Sequence, residues 1–392
     1  MPGSVIVAGA RTPIGKLSGA LASFSAMELG GFAIAAALER ASVAPEDVDY
    51  VFMGHVLQAG QGQITARQAA HNAGIPMTVP ATTVNKVCLS GLNALYLADQ
   101  MITSGDAEVV VAGGMESMTN APYLLPGARA GLRIGDGVVV DSTMLDGLTC
   151  AFDACSMGLA TERYAAGTLT REAQDELAAK SHERAAAAIK EGRFADEIAP
   201  VAVPQRKGDP MLVETDEGVR PGTTVESLGT LKPAFDKQGT ITAGNASQIS
   251  DGAAAVVITS KAKAEELGLS PIAEILSYGQ VAGPDPSLLT QPSRAIRAAL
   301  DKVDIGIGSI DLFELNEAFA AVGLASMADL GIGDDVVNVN GGAIALGHPI
   351  GMSGTRVALT LINELRRRGG GTGAAALCGG GGQGDALLFK TL

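Results

Sequence analysis

AIAAALER at residues 33–40 returns as AIRAALDK at 295–302, and DYVF at 49–52 returns as DLFE at 311–314, both after the same interval. Val84-Asn85 with Cys88 recurs as Val339-Asn340 with His348, and AGG at 112–114 recurs as CGG at 378–380. A single match between Ala-rich helices could be coincidence. Four matches in the same order indicate an internal duplication. Around them, short apolar runs alternate with helical patterns: SVIVAGA, a helix near 26–40, VDYVFMG at 48–54, a helix from about 88 to 103, and EVVVAGG at 108–114. Such alternation predicts an α/β chain whose strands are buried, built twice. Between the repeats, residues 116–249 have fewer strand runs, an amphipathic helix at about 170–190 opened by Thr170, and polar turns such as RKGDP at 206–210. This segment reads as an insertion covering the site, with Ser270-Pro271 marking the join to the second half.

Composition narrows the function. The chain has 392 residues, enough for two or three cooperating units, with 47% hydrophobic and 18% charged residues, which suits a large core and excludes a disordered polymer. A net charge of −14 argues against phosphate-backbone binding, so no nucleic-acid partner is expected. No charged region followed by an apolar run opens the chain, and no stretch has the roughly 18 apolar residues of a membrane span. A cytoplasmic protein without a membrane partner is expected. The four cysteines, Cys88, Cys150, Cys155 and Cys378, lack zinc-ribbon spacing, and with four histidines no metal site is expected. The 51 glycines require many tight turns and close backbone approaches.

The duplicated positions carry the reactive groups. Cys88 follows the β-branched TTVNKV and precedes a helical pattern, which puts its thiol at a helix amino terminus, where free amides and the dipole lower a thiol pKa. A buried structural cysteine is the alternative. His348 lies in NGGAIALGHPIGMSGTR, where five glycines and a proline predict a bent, exposed loop with the imidazole poised rather than packed; a turn histidine satisfied by backbone is the alternative. If the halves stack about a pseudo-twofold, Cys88 and His348 meet near the centre, and the imidazole activates the thiol. Cys378 ends the strand GAAALC and opens GGGGQG, whose amides can build an oxyanion hole or simply reverse the chain. Asn316, at the end of a strand, can hold a water or donate to an oxyanion, or can cap a helix.

These four residues together resemble the thiolase family. NKVCLSG at 85–91, NEAF at 316–319, GGAIALGHPIG at 341–351 and CGGGGQG at 378–384 are similar to its four signature blocks, and ARTPIGK at 10–16, GGMESM at 113–118 and TAGNASQISDGAAA at 242–255 extend the likeness over the chain. The resemblance implies an α/β thiolase fold: two duplicated halves in a five-layered αβαβα arrangement with an inserted loop domain. The halves are expected at 1–119 plus 250–270 and at 271–392, with the covering, coenzyme A-binding domain at 120–249, in a homodimer or homotetramer.

For the site, the resemblance implies that Cys88 is the acylated nucleophile, His348 its activator and Cys378 the acid/base. His348 with a water on Asn316 would form one oxyanion hole, and the amides of Cys88 and Gly380 the other. Leu148, Met157, Arg220, Ser227, Phe235, Ala243, Ser247, Ala318 and Phe319 stand where the family contacts coenzyme A. No tightly bound cofactor is expected, coenzyme A and acetyl-CoA being substrates. Two departures stand out: Ser156 replaces a histidine common in acetoacetyl-CoA thiolases, and Leu89 replaces a small residue. The activity implied is acetyl-CoA C-acetyltransferase; a 3-ketoacyl-CoA thiolase of broader chain length and an inactive coenzyme A-binding scaffold are the competing readings. A decarboxylating ketoacyl synthase fits less well, because Asn316 stands where that class has a second histidine.

Overall fold

The computed structural model describes residues 4–392. The first half of the sheet comprises β1 (Ser4–Arg11), β2 (Tyr50–Gly54), β3 (Ala81–Val84), β4 (Val109–Ser117) and β5 (Ser250–Ser260), in spatial order β1-β5-β4-β2-β3. The second comprises β6 (Ala273–Ala282), β7 (Leu312–Leu315), β8 (Thr372–Gly379) and β9 (Gln383–Thr391), in order β6-β9-β8-β7, with a single bridge from Phe313 to Val337 beyond β7 where the first half has β3. Strand directions repeat as well: β2 and β4 are parallel, as are β7 and β8, and β5 and β9 each run antiparallel to both their neighbours. Among the described residues the halves join edge to edge through two residue pairs, Val5 with Glu274 and Ile6 with Ala273, antiparallel, as a pseudo-twofold requires.

Strand periodicity divides the core into layers. Val110, Ala112, Val256 and Ile258 of the first half and Ala375, Leu377, Leu387 and Phe389 of the second share one cluster with Leu92, Leu95 and Ala98 of α3 (Ser90–Ser104) and Val357, Leu361 and Ile362 of α8 (Ser353–Arg367). Their alternates face outward. Val109, Val111, Ala255 and Val257 pack against α1 (Ala26–Ala41) and α2 (Thr65–Asn72), while Ala374, Ala376, Ala386 and Leu388 pack against α6 (Gln291–Val303) and α7 (Ala320–Leu330). Because successive strand side chains point to opposite faces, each sheet half is buried on both sides. The result is the five-layered αβαβα stack, with α3 and α8 in the middle. Each fully buried Leu or Ile of that middle layer contributes about 1.5–3 kcal/mol.

The pattern-based helices form with small adjustments. The helix predicted near 26–40 spans Ala26–Ala41, started by a capping box between Ser25 and Glu28. Thr170 caps α5 (Arg171–Lys190) by accepting from the Ala173 amide. The helix predicted from residue 88 begins instead at Ser90. Cys88 therefore belongs to the preceding turn, and Val87 there takes φ +52, a conformation that costs a β-branched residue about 1–3 kcal/mol.

The segment between β4 and β5 contains short two-stranded pieces, α4 (Met157–Ala165) and α5. It is tied to the sheet by Arg11, whose buried guanidinium donates to Glu197 at 2.7 Å and to both oxygens of Asp216 at 2.7 and 2.9 Å. Among the described residues no helix is long and apolar enough to cross a membrane.

The middle layer depends on missing β-carbons. A Cβ on Gly114 would lie 1.9 Å from the Gly351 carbonyl oxygen, and one on Gly54 or Gly91 would lie 2.8 Å from the same atom. Backbone cannot yield as a side chain does, so we expect Gly114→Ala to cost about 3 kcal/mol or more in urea unfolding. Gly306→Ala, with open space around it, should leave the midpoint within about 0.5 kcal/mol.

Candidate active site

Four loops converge at the carboxyl ends of the parallel strands. The first carries Cys88. Its turn is held by the Lys86 amide donating to Ser90 Oγ at 2.8 Å and the Ser90 hydroxyl donating to the Val87 carbonyl at 2.6 Å. Lys86 Nζ reaches across the duplication to both oxygens of buried Asp385 on β9, at 2.8 and 2.9 Å. Cys88 is partly accessible, and its sulfur accepts from its own amide and from the Gly380 amide. Those amides lower the thiol pKa, but burial outweighs them and pushes it up to about 12. The thiol pKa is therefore raised rather than lowered as expected from a helix terminus: α3 starts two residues on, and desolvation of a thiolate costs more than two amides return.

His348 corrects a second expectation. The Gly-rich loop is not exposed: His348 is only 6% accessible, and Ile344, Ala345 and Leu346 before it are buried. Its glycines serve close packing. Gly342 has no room for a Cβ beside the Glu317 carboxylate, which accepts from Ser181, Asn338 and the Ile344 amide. Burial, with the Arg356 charge adding to it, lowers the His348 pKa to about 4, so the imidazole is neutral. Its tautomer is set by its neighbour. The Ser353 hydroxyl donates to the Pro349 carbonyl at 2.9 Å, and so must accept from His348 Nδ1–H at 2.5 Å. Nε2 therefore bears a lone pair. It lies 3.5 Å from Asn316 Nδ2.

Asn316 comes directly after β7 and caps no helix; Phe319 holds the N-cap position of α7. Its Oδ1 is buried without a hydrogen-bond partner among the described residues, a free acceptor in the site. Cys378, next to last in β8, lies in the buried cluster with Met157, Ala318 and Phe319. Burial raises its pKa, and the neighbouring Cys88 sulfur adds to the rise. Gly380 opens the β8–β9 turn, in which Gly381 and Gly382 supply the positive φ angles of 84° and 71°. All four cysteines are free thiols.

A cavity of about 490 Å³ leads to His348. Leu148, Met157, Arg220, Phe235, Ala243, Ser247 and Phe319 line it. Ser227 and Ala318 do not: Ser227 is exposed on a short helix, bonded to the Thr224 carbonyl, and Ala318 is buried behind the wall. Phe235 packs where a Cβ on Gly158 would stand, closing one side. Ser156, the departure from the histidine pattern, caps α4 by accepting from the Leu159 amide at 3.3 Å. Leu89, the other departure, is fully buried and fills the space over Gly379, where a Cβ would lie 2.6 Å from its Cγ.

Sequence reasoning gave no role to Glu116 or Ser353. Glu116 is buried and accepts from the amides of Val56, Leu57 and Gly351, linking the His348 loop to the first half. GGMESM was visible as a block, but nothing in its spacing indicated what the carboxylate holds. Ser353 lies in the GMSGT run after His348, where no pattern distinguishes it from a helix-start serine.

Residues 4–262 match the family model described as Thiolase, N-terminal domain, and residues 269–391 that described as Thiolase, C-terminal domain. A probable acetyl-CoA acetyltransferase of Mycolicibacterium smegmatis is 58% identical over 98% of this chain and 100% of its own length. An acetyl-CoA acetyltransferase of Cupriavidus necator is 54% identical over 98% of each. The crystal structure of the Bacillus anthracis acetyl-CoA acetyltransferase superposes with TM-score 0.97 at 42% identity, over 100% of this chain and 99% of that one.

Two outcomes are expected. Ser353→Ala frees the imidazole to change tautomer and should lower kcat about tenfold or more with little change in KM. His348 has its ordinary pKa of 6.5 in the unfolded chain and about 4 in the fold, so the unfolded state binds the extra proton. Its contribution to stability is present above pH 6.5 and lost as pH falls towards 4. His182, also lowered to about 4, acts in the same direction. The urea midpoint should drop across that window, and less steeply in His348→Asn.

Proposed function

The chain belongs to the thiolase family, and on that premise we propose that it catalyses acetyl-CoA C-acetyl transfer, two acetyl-CoA exchanging with acetoacetyl-CoA and coenzyme A. The observation that supports this reading is a pair of neighbouring thiols, Cys88 and Cys378, at the Gly380 turn, together with a buried, unprotonated His348 whose Nε2 lies 3.5 Å from Asn316. In the condensation direction His348 Nε2 takes the Cys88 proton, and the thiolate attacks the acetyl carbonyl carbon. Coenzyme A leaves as a thiolate and takes the Cys378 proton. The raised pKa of Cys378 suits its next role, because the thiolate left there is a strong base that removes the α-proton of the second acetyl-CoA.

The enolate oxygen lies against His348 Nε2–H, now a donor, and a water held by Asn316. The enolate carbon then attacks the Cys88 thioester. Charge on the resulting tetrahedral oxygen is met by the amides of Cys88 and Gly380, which are already aimed at the Cys88 sulfur. Collapse expels the Cys88 thiolate, which regains its proton from His348. Two buried charges thus exist only during the reaction, when donors stand ready for them.

The segment 120–249 is assigned to coenzyme A binding, supported by the cavity that it walls with Leu148, Met157, Arg220 and Phe235. A homodimer or homotetramer is proposed as well; the outer edge of β3, which is unpaired among the described residues, supports it.

Incubation with radiolabelled acetyl-CoA should label Cys88 in the wild type, and Cys88→Ser should retain neither label nor turnover. Cys378→Ala should still take up label while condensation falls by at least about a hundredfold. A folded wild-type protein that releases no coenzyme A while taking up no label would overturn the reading.

A further inference from the structure

Cys150 and Cys155 are paired residues of the short antiparallel hairpin Thr149–Cys150 and Cys155–Ser156. Directly opposed residues of antiparallel strands have Cα atoms about 4.5–5.5 Å apart, inside the roughly 4.4–6.8 Å span of disulfides. Each sulfur also has its own donor. The Asp153 amide donates to Cys150 Sγ at 3.4 Å, and Arg163 Nη1 to Cys155 Sγ at 3.6 Å. Cys155 is half-buried and Cys150 buried, the arrangement of an accessible attacking sulfur and a protected resolving one.

We propose that this hairpin is a thiol oxidation site that closes a Cys150–Cys155 disulfide. With a hydroperoxide as oxidant, the Cys155 thiolate attacks the terminal oxygen, giving a sulfenic acid and releasing hydroxide or alkoxide. The Cys150 thiolate then attacks the Cys155 sulfur and expels hydroxide, so that two thiols and hydrogen peroxide become one disulfide and two waters. The hairpin's location gives the bond a consequence. The residues that flank it, Leu148 on one strand and Ser156 and Met157 on the other, line the cavity leading to His348. Cys150 lies in the apolar cluster with Met157, so drawing Cys155 off Arg163 and towards it turns the Ser156–Met157 corner into the cavity. This consequence, unlike the bond, rests on that cavity being the coenzyme A path.

Trypsin separates the two sites chemically, since Ile134–Arg163 is one peptide holding Cys150 and Cys155 without Cys88 or Cys378. After one equivalent of hydrogen peroxide the full-length protein, with Cys88 held as its acetyl thioester, should yield this peptide two hydrogens lighter. Both cysteines should resist alkylation together and be restored by dithiothreitol. In Cys150→Ser, Cys155 should oxidise without closing a ring. The oxidised wild type should show a KM for coenzyme A about threefold higher with kcat unchanged, the signature of lost ground-state binding. Oxidation of Cys155 that leaves Cys150 alkylatable would overturn the site. A closed ring with unaltered KM would overturn its coupling to the cavity while leaving the acyl-transfer reading intact.

Discussion

One backbone carbonyl holds the two halves in the only relation that makes a site. Gly351 O is approached by Gly54 from β2, Gly91 from α3 and Gly114 from β4, each too close for a Cβ. On the amide side of the same residue, the Glu116 carboxylate accepts from Gly351 N–H at 2.9 Å while also accepting from Val56 and Leu57. The His348 loop of the second half is thereby pressed into the first. A methyl group at any of these glycines pushes the His348 loop away from the first half, and the middle helices feel the same limit, since a Cβ on Gly354 would lie 2.2 Å from the Leu92 amide. Much of the large glycine content is this demand for close approach between layers.

The electrostatics of the site derive from that closeness. Tight packing desolvates Cys88, Cys378 and His348 together, and desolvation favours the neutral form of every one. The resting pair is therefore thiol and imidazole, not thiolate and imidazolium. Nearby, Arg356 is buried and ion-paired to Glu314 at 2.9 Å, yet Glu314 is still raised to about 8 because burial exceeds the help from Arg356. The positive guanidinium also helps to keep His348 unprotonated.

The covering segment is attached by a shared core, in which Ala185, Phe194 and Ile198 pack with Ile14, Ala254 and Leu346, and by buried polar ties. Arg11 binds Glu197 and Asp216, and Ser181 binds Glu317 directly behind the Asn316 loop. Breaking such a buried pair leaves an uncompensated charge, so these ties fix where the cavity wall stands. The two departures from the family pattern fit the same economy of space. Leu89 occupies volume that Gly379 leaves open, and Ser156 caps the helix whose first residue, Met157, lines the cavity.

The sequence alone determined the duplication, the alternation of buried strands with helices, and the candidates for the reactive groups, because periodicity and local propensity are properties of short segments. It singled out Cys88, His348, Cys378 and Asn316 as candidates through blocks whose composition is legible at that range, and it placed α1 and the Thr170 cap, while the strand read as ending at Gly114 runs on to Ser117 and the one read to Val87 stops at Val84. Tertiary structure decided everything that depends on what surrounds those groups. Whether the His348 loop is exposed or buried, whether the Cys88 thiol is lowered by helix amides or raised by desolvation, and which imidazole nitrogen carries the proton all turn on atoms supplied from distant parts of the chain. Ser227 and Ala318 failed to reach the cavity for the same reason: position in a block fixes a residue's neighbours along the chain, while solvent, charge and contact are set by the layers packed around it.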